Sequence, residues 1–295
     1  MFGTSWWFCD LVLGRFSTPQ PDRSDCRSPW VDYVEDMLNS NSITATEVSL
    51  NLFFFFFCKV SLQVTEAIIE GISGSDDIYG GDLSIVVNFL EPTLKKYNRD
   101  HEAVFGLTQN MYNISNTLVA SVQSWTELTD FRQRYLLSSN ILSNIDNTGF
   151  LFLTENLFSN FTKTKPFNIT TQFSFQYVDV ILDTINPEGE FPHCYDFDRV
   201  RLEHFQNHIF SKGSICVPKE ALNATDGFGN GVATSLEFYN GDDLLFPSFH
   251  YEPESNLSSI IGFSLDNNAK LELSRDAEPV RITFKQVTLI FKLLS

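Results

Sequence analysis

The densest group of residues able to do chemistry is His193-Cys194-Tyr195-Asp196-Phe197-Asp198, with Glu203-His204 and His208 just downstream. His204 and His208 stand at i and i+4, so on a helix they would share a face and could hold Zn²⁺ through Nε2. The hydrolytic form of that motif needs a glutamate directly after the first histidine, as general base. Here that position is Phe205, and Glu203 precedes the pair. These histidines are therefore expected in a connection between strands, without a metal. Neither a G-x-S-x-G elbow nor a G-x-x-x-x-G-K-[ST] phosphate loop occurs, and Gly71-Ile-Ser-Gly-Ser75 does not match G-x-G-x-x-G. Asp76, Asp77 and Asp82 lack the alternating spacing of a calcium loop. They suit helix N-terminal charges and turns instead. No cofactor is expected.

Other residues speak to compartment. Asn113-Ile-Ser, Asn160-Phe-Thr, Asn168-Ile-Thr, Asn223-Ala-Thr and Asn256-Leu-Ser fit the N-glycosylation pattern. Five such sites favour the secretory route. The cysteines are Cys9, Cys26, Cys58, Cys194 and Cys216. Cys194 and Cys216 bracket a segment of suitable length for one disulfide, and the odd total leaves at least one cysteine outside any such pairing. A formal net charge of −17 over 295 residues repels phosphate backbones, so nucleic acid is not an expected partner. No stretch approaches the roughly 20 apolar residues that cross a bilayer. The chain as written is expected to carry neither an export signal nor an anchor.

The elements that must position these residues change character near residue 165. Before it, apolar residues recur at helical spacing. Trp30, Val34 and Leu38 begin a helix behind Ser28-Pro29, and proline is at home in a first turn. Leu83, Val86, Val87, Leu90 and Leu94 form a stripe after Gly80-Gly81-Asp82, which suits a helix start. Val104, Leu107, Met111, Ile114, Leu118 and Val122 form another, and Trp125, Leu128, Phe131, Tyr135, Leu142 and Ile145 a looser third. A helical bundle is expected.

After about residue 170 the period drops to two: Phe173, Phe175, Tyr177; Val232, Thr234, Leu236, Phe238; Ile261, Phe263, Leu265; Leu271, Leu273; Val280, Ile282, Phe284. Asn186-Pro187-Glu188-Gly189, Asn240-Gly241-Asp242 and Asp266-Asn267-Asn268 separate them as turns. Short strands at that spacing predict an antiparallel β-sandwich. The fold class expected is thus α+β, with the helical bundle first and the sandwich second.

One segment fits neither half. Phe53 to Phe57 are consecutive phenylalanines within residues 48–59. Such a run is what a polypyrimidine tract encodes, and deleting 48–59 joins Glu47 to Val60 in a plain helical sequence. The segment reads as a translated intron.

Short stretches including Ile78-Tyr79-Gly80-Gly81-Asp82-Leu83, Ser124-Trp125-Thr-Glu-Leu128 and Ile215-Cys-Val-Pro218, in that order, resemble the GAIN (autoproteolysis-inducing) region of latrophilin-like adhesion-class receptors. Pro21-Asp-Arg-Ser-Asp-Cys26-Arg-Ser-Pro-Trp30-Val31 resembles the end of the small hormone-receptor-type domain that precedes it. Ile78-Tyr79-Gly80-Gly81-Asp82-Leu83 is similar to the turn opening a core helix of the helical half. Ser124-Trp125-Thr-Glu-Leu128 and Asn147-Thr-Gly-Phe150-Leu-Phe-Leu153 are similar to later helices of that half. Ile215-Cys-Val-Pro218-Lys-Glu-Ala-Leu222, Ser258-Ser-Ile-Ile-Gly262, Leu271-Glu-Leu273-Ser and Glu278-Pro279-Val280-Arg-Ile282-Thr-Phe284-Lys285 resemble strands of the sandwich half.

The resemblance implies a hormone-receptor-type remnant at 1–27, a helical subdomain at 28–165 and an incomplete sandwich at 166–286, with 287–295 an aberrant tail. It implies a parent at the plasma membrane, facing outward, that meets cell-surface or matrix protein ligands and signals through G proteins. The family's strands lead into Trp-flanked disulfides and a His-Leu-Ser or His-Leu-Thr tripeptide, whose histidine activates the following hydroxyl. This sequence holds no such tripeptide. It is expected to stop short of the cleavage site, to lack the closing strand and membrane helices, and not to be an enzyme. The rival expectations are a stand-alone secreted adhesive or decoy protein, and a secreted metal-dependent hydrolase using His204 and His208.

Overall fold

In the computed structural model the described residues are 9–10, 15–16, 26–40, 50–75, 78–95, 101–160, 170–185, 189–197, 210–219, 229–237, 259–265 and 281–287. The chain divides into two compact units, residues 1–159 with 241–256, and residues 160–240 with 257–295. The architecture is mixed: helices, then small antiparallel sheets.

The first unit opens with a two-stranded ribbon, β1 (Cys9–Asp10) and β2 (Arg15–Phe16). Helix α1 (Pro29–Ser40) starts on Pro29, whose missing N–H would have had no partner within the helix in any case. It buries Val31, Val34 and Leu38. Helix α2 (Leu50–Ser73) runs without a break through Phe53–Phe57. Its buried stripe is Ser61, Val64, Thr65 and Ile68, spaced i, i+3, i+4, i+7. Gly71 completes the face against α1, because a Cβ there would overlap the Trp30 ring.

Helix α3 (Gly80–Lys95) buries Leu83, Val86, Val87 and Leu90 as its spacing predicts. Helix α4 (His101–Ala120) does the same with Val104, Leu107, Met111, Ile114 and Leu118, but it ends before Val122, the last residue expected in that stripe, which is exposed. The third stripe departs from expectation. A short helix α5 (Val122–Glu127) ends before α6 (Phe131–Asn160) begins, so Trp125 and Phe131 do not share one helical face. Phe131 and Tyr135 are exposed, whereas Trp125, Leu128 and Ile145 are buried as expected, and α6 also turns Leu137, Ile141, Phe152 and Leu153 inward. Trp125 is buried, and its Nε1 donates to Leu118 O at 2.8 Å, which pins α5 back onto the end of α4.

The N-terminus of α3 explains the Tyr-Gly-Gly-Asp turn. Asp82, fully buried, accepts the Tyr79 N–H at 3.1 Å, capping its own helix from the third position. It also accepts the Ser28 N–H and Ser28 hydroxyl, both at 2.6 Å, tying the start of α1 to the start of α3. Glu127 of α5 accepts the Gly80 N–H at 2.9 Å, and the Ser124 hydroxyl donates to Ile78 O at 2.6 Å. A side chain at Gly80 would crowd Glu127 and Leu128, so glycine permits this approach. The acids of this turn satisfy backbone donors that a helix start leaves open.

The second unit contains two antiparallel sheets among its described residues. One has β3 (Thr170–Ser174), β4 (Val178–Ile185), β7 (Gly229–Glu237) and β8 (Ser259–Leu265) in the order β3-β4-β7-β8. The other has β5 (His193–Phe197), β6 (Phe210–Val217) and β9 (Arg281–Val287) in the order β5-β6-β9. One apolar cluster draws on both: Ile181, Ile185, Ile261 and Leu265 from the first, Tyr195, Phe197, Ile215 and Val217 from the second. Along each strand the contributors alternate by two or four residues, the periodicity of a pleated face.

Strand β4 went unrecognised in the sequence because every residue of Val178-Asp-Val-Ile-Leu-Asp-Thr-Ile185 is buried, so no alternation marks it. It is a central strand, flanked by β3 and β7, with Phe173 opposite Val180 and Val180 opposite Thr234. Phe175 and Tyr177, expected to continue the first strand, form the turn between β3 and β4. Leu271 and Leu273 and the expected turns at 240–242 and 266–268 lie outside the described residues.

Candidate functional site

The His193–Asp198 segment is where structure and expectation part. His193 to Phe197 are strand β5, not a connection. Residues 193, 195 and 197 share one face, and that face brings His193 and Tyr195 onto Asp183 of β4. Asp183 sits on the core side of β4 between Ile181 and Ile185 and is 5% exposed. Its Oδ2 lies 3.0 Å from His193 Nε2 and accepts the Tyr195 hydroxyl at 3.1 Å. Its Oδ1 accepts the Thr170 hydroxyl from β3 at 2.8 Å. The register explains this last bond, since Thr170 lies directly opposite Asp183.

Three side-chain groups thus converge on one buried carboxylate, joining a strand of each sheet. Ionised, the carboxylate accepts all of them, and such charge-assisted bonds are the stronger kind. The Tyr195 hydroxyl titrates well above the usual tyrosine range, first because it is buried, then because Asp183 is negative and takes its proton in a hydrogen bond. The Tyr195 ring meets His193 edge-on at 4.9 Å and stacks on Phe263 at 5.9 Å. The pairing of His193 with a carboxylate is the geometry that orients a general base in hydrolytic sites. Here the same carboxylate also holds Tyr195, and the neighbouring sulfur is in a disulfide. The cluster fixes one sheet against the other.

Cys194 and Cys216 form that disulfide, with a Cα–Cα separation of 4.0 Å across the β5–β6 pair, where they are register partners. It lies on the opposite face of β5 from Asp183. Cys26 is buried at the entry to α1.

The remaining candidates are dispersed. Asn113 is half-buried on α4, and its sequon serine, Ser115, is 2% exposed with its hydroxyl donating to Met111 O at 2.9 Å. Asn160 is the last residue of α6. Asn168, Asn223, Asn256, Asp198, Glu203, His204 and His208 lie outside the described residues. Among the described residues no three His, Cys, Asp or Glu side chains converge where a metal ion could sit, and no helix is long and apolar enough to cross a membrane.

Sequence reasoning missed Asp183 and Thr170. The available signal was a pair of acids, Asp179 and Asp183, inside an otherwise apolar run. Both are buried and both are matched: Asp179 accepts Gln172 Nε2 at 3.1 Å and the Ser174 hydroxyl at 2.8 Å. An acid in a buried strand demands donors from its neighbours. Neither a family model nor any curated protein matches this sequence.

Proposed function

We propose that this chain is a GAIN-like region of an adhesion-class receptor, latrophilin-like, acting outside the cell as a scaffold that holds a receptor strand and presents a surface to cell-surface or matrix protein ligands. The observation that carries the reading is the apolar cluster shared by β4 and β8 with β5 and β6. Two antiparallel sheets that share one apolar cluster support a β-sandwich reading, and they follow a run of helices, the order that the resemblance implies. The Cys194–Cys216 disulfide and the five sequons favour an oxidising, secretory setting.

In this reading the chain has no catalytic residues of its own. Its work is mechanical: Asp183, His193 and Tyr195 hold one sheet against the other and the disulfide ties β5 to β6, so a further strand can add along an open edge through main-chain hydrogen bonds. Strand β9 pairs with β6 alone among the described strands, and its outer edge is the place we assign to it. The segment 48–59 we take as translated intron and 287–295 as an aberrant tail.

Two measurements test this. Transcripts of the locus should omit the Phe53–Phe57 codons and continue into Cys/Trp-rich segments, a His-Leu-Ser or His-Leu-Thr codon set and a series of apolar helices. Transcripts that retain those codons and end without apolar helices would sink the receptor reading. Expressed behind a secretory leader in mammalian cells, the chain should emerge glycosylated, with Cys194 joined to Cys216. Export without glycan at any of the five asparagines would contradict it.

A further inference from the structure

Strand β6 sits between β5 and β9, and the register of its two ladders aligns three side chains in one row across the sheet. Cys194 of β5 lies opposite Cys216 of β6, and Cys216 lies opposite Arg281 of β9. Side chains directly opposite each other share a face and stand about 5 Å apart at Cβ. This row is on the face of β5 turned away from Asp183. Cys194 and Arg281 are exposed, and Cys216 is half-buried. Asp196, two residues along β5, is exposed on the same face as Cys194. The two sulfurs of the disulfide are therefore unlike. Cys194 is open to solvent beside an acid, and Cys216 is shielded beside a fixed positive charge.

We propose that Cys194–Cys216 is a thiol–disulfide exchange site for a dithiol reductant, entered at Cys194. A thiolate of the dithiol attacks Cys194 Sγ, the S–S bond breaks, and its electron pair leaves on Cys216 Sγ. Arg281 stabilises the departing thiolate, and a thiolate stabilised in this way leaves faster. Cys216 then takes a proton from water. The second sulfur of the dithiol, as thiolate, displaces Cys194 from the mixed disulfide, and Cys194 takes the second proton. Two electrons pass from the dithiol, which becomes a disulfide, to the protein, which becomes a dithiol. The strand stays in place because it is held in other ways. Its ladder to β6 runs from His193 to Phe197, and His193 and Tyr195 bond Asp183 from the opposite face. The two thiols remain register partners, so the bond can form again. Opening it removes the covalent tie between β5 and β6, and the stability of the second unit then answers to the redox state around it. The inference rests on the β5–β6–β9 register and not on the receptor reading.

The test uses the full oxidised chain, with reduced glutathione to trap the first step and dithiothreitol to complete it, followed by acid quenching, alkylation and peptide mass spectrometry. Glutathione should be found on Cys194. Dithiothreitol should reduce the bond at nearly the same rate in buffer and in urea below the unfolding transition, and the β5 amides should keep their hydrogen-exchange protection in the reduced chain. Arg281→Gln should slow reduction about threefold or more, and Arg281→Lys, which keeps the charge, should restore the rate. Reduction that tracks the unfolded fraction overturns the proposal. So does glutathione on Cys216, loss of β5 protection on reduction, or an Arg281→Gln rate equal to the parent's. Should Arg281→Gln fail to fold, the site of attack and the urea series on the unaltered chain still decide it.

Discussion

Removing the Asp183 carboxylate is the sharpest test of how the second unit is held together. Asp183→Ala deletes the acceptor for Thr170, His193 and Tyr195 at once. The three losses are unequal. Thr170 is exposed and the His193 side chain is 39% exposed, so water can take over both donors. Tyr195 is 5% exposed, and its hydroxyl would be left in the core. An orphaned buried donor costs about 1–3 kcal/mol, and the replaced bonds to a charged acceptor add a further ~1 kcal/mol after solvation of the other two. The expected loss is therefore about 2–4 kcal/mol, dominated by one hydroxyl. Tyr195→Phe removes that donor. In the double variant the cost of Asp183→Ala should fall by ~1 kcal/mol or more, the coupling seen between groups in direct contact. The assay is urea unfolding of the four proteins, with hydrogen exchange at the β4 and β5 amides to isolate this unit from the helices. A single-variant loss under about 0.5 kcal/mol, or a cycle that closes additively, would refute the idea that Asp183 clasps the sheets.

Three further outcomes follow from the same structure. Gly71→Ala places a methyl group in the Trp30 ring, so α1 must shift off α2; a loss of ~1–3 kcal/mol is expected, with a change in tryptophan emission, and an unaltered melting curve would contradict the packing. Reduction of Cys194–Cys216, or Cys194→Ser with Cys216→Ser, opens a link spanning a sequence separation of 22; loop-closure entropy puts the loss near ~3 kcal/mol, measured by thermal melts with and without reductant, and equal melts would remove the disulfide from any account of stability. At high pH the buried Tyr195 and Tyr112 resist ionisation, Tyr195 for the reasons given and Tyr112 chiefly by burial, then by the charge of Asp146. Both folded values are raised, so their contribution is whole below about pH 10, where unfolded tyrosine titrates. Above it, stability should fall by ~1.4 kcal/mol per pH unit for each; Tyr195→Phe should halve the combined slope, and a slope it leaves unchanged would show that Tyr195 ionises freely.

Much of the fold was legible locally. The stripes of α3 and α4, and the alternations of β7, β8 and β9, are short-range patterns set by 3.6 and 2 residues per repeat. Ser28-Pro29 and Gly80-Gly81-Asp82 marked helix starts because capping is chemistry between near neighbours. Where local pattern did not apply, reading failed for identifiable reasons. Strand β4 is buried on both faces and shows no alternation. The Trp125–Tyr135 stripe was drawn through a break that Leu128 to Asp130 impose between α5 and α6. His193 to Phe197 was expected in a connection between strands because polar residue types concealed a strand whose buried positions are 195 and 197.

The sequence by itself determined the change from helical to strand periodicity near residue 165, the acidity of the surface and the pairing of Cys194 with Cys216 as a candidate. Only the tertiary structure decided that Asp183, on a different strand, meets His193 and Tyr195, and that Asp82 and Glu127 tie the start of α3 to Ser28 and to α5. The physical reason is range: periodicity and capping are written within a few residues, whereas a buried polar group finds its partner through sheet register and helix packing, which depend on the whole chain.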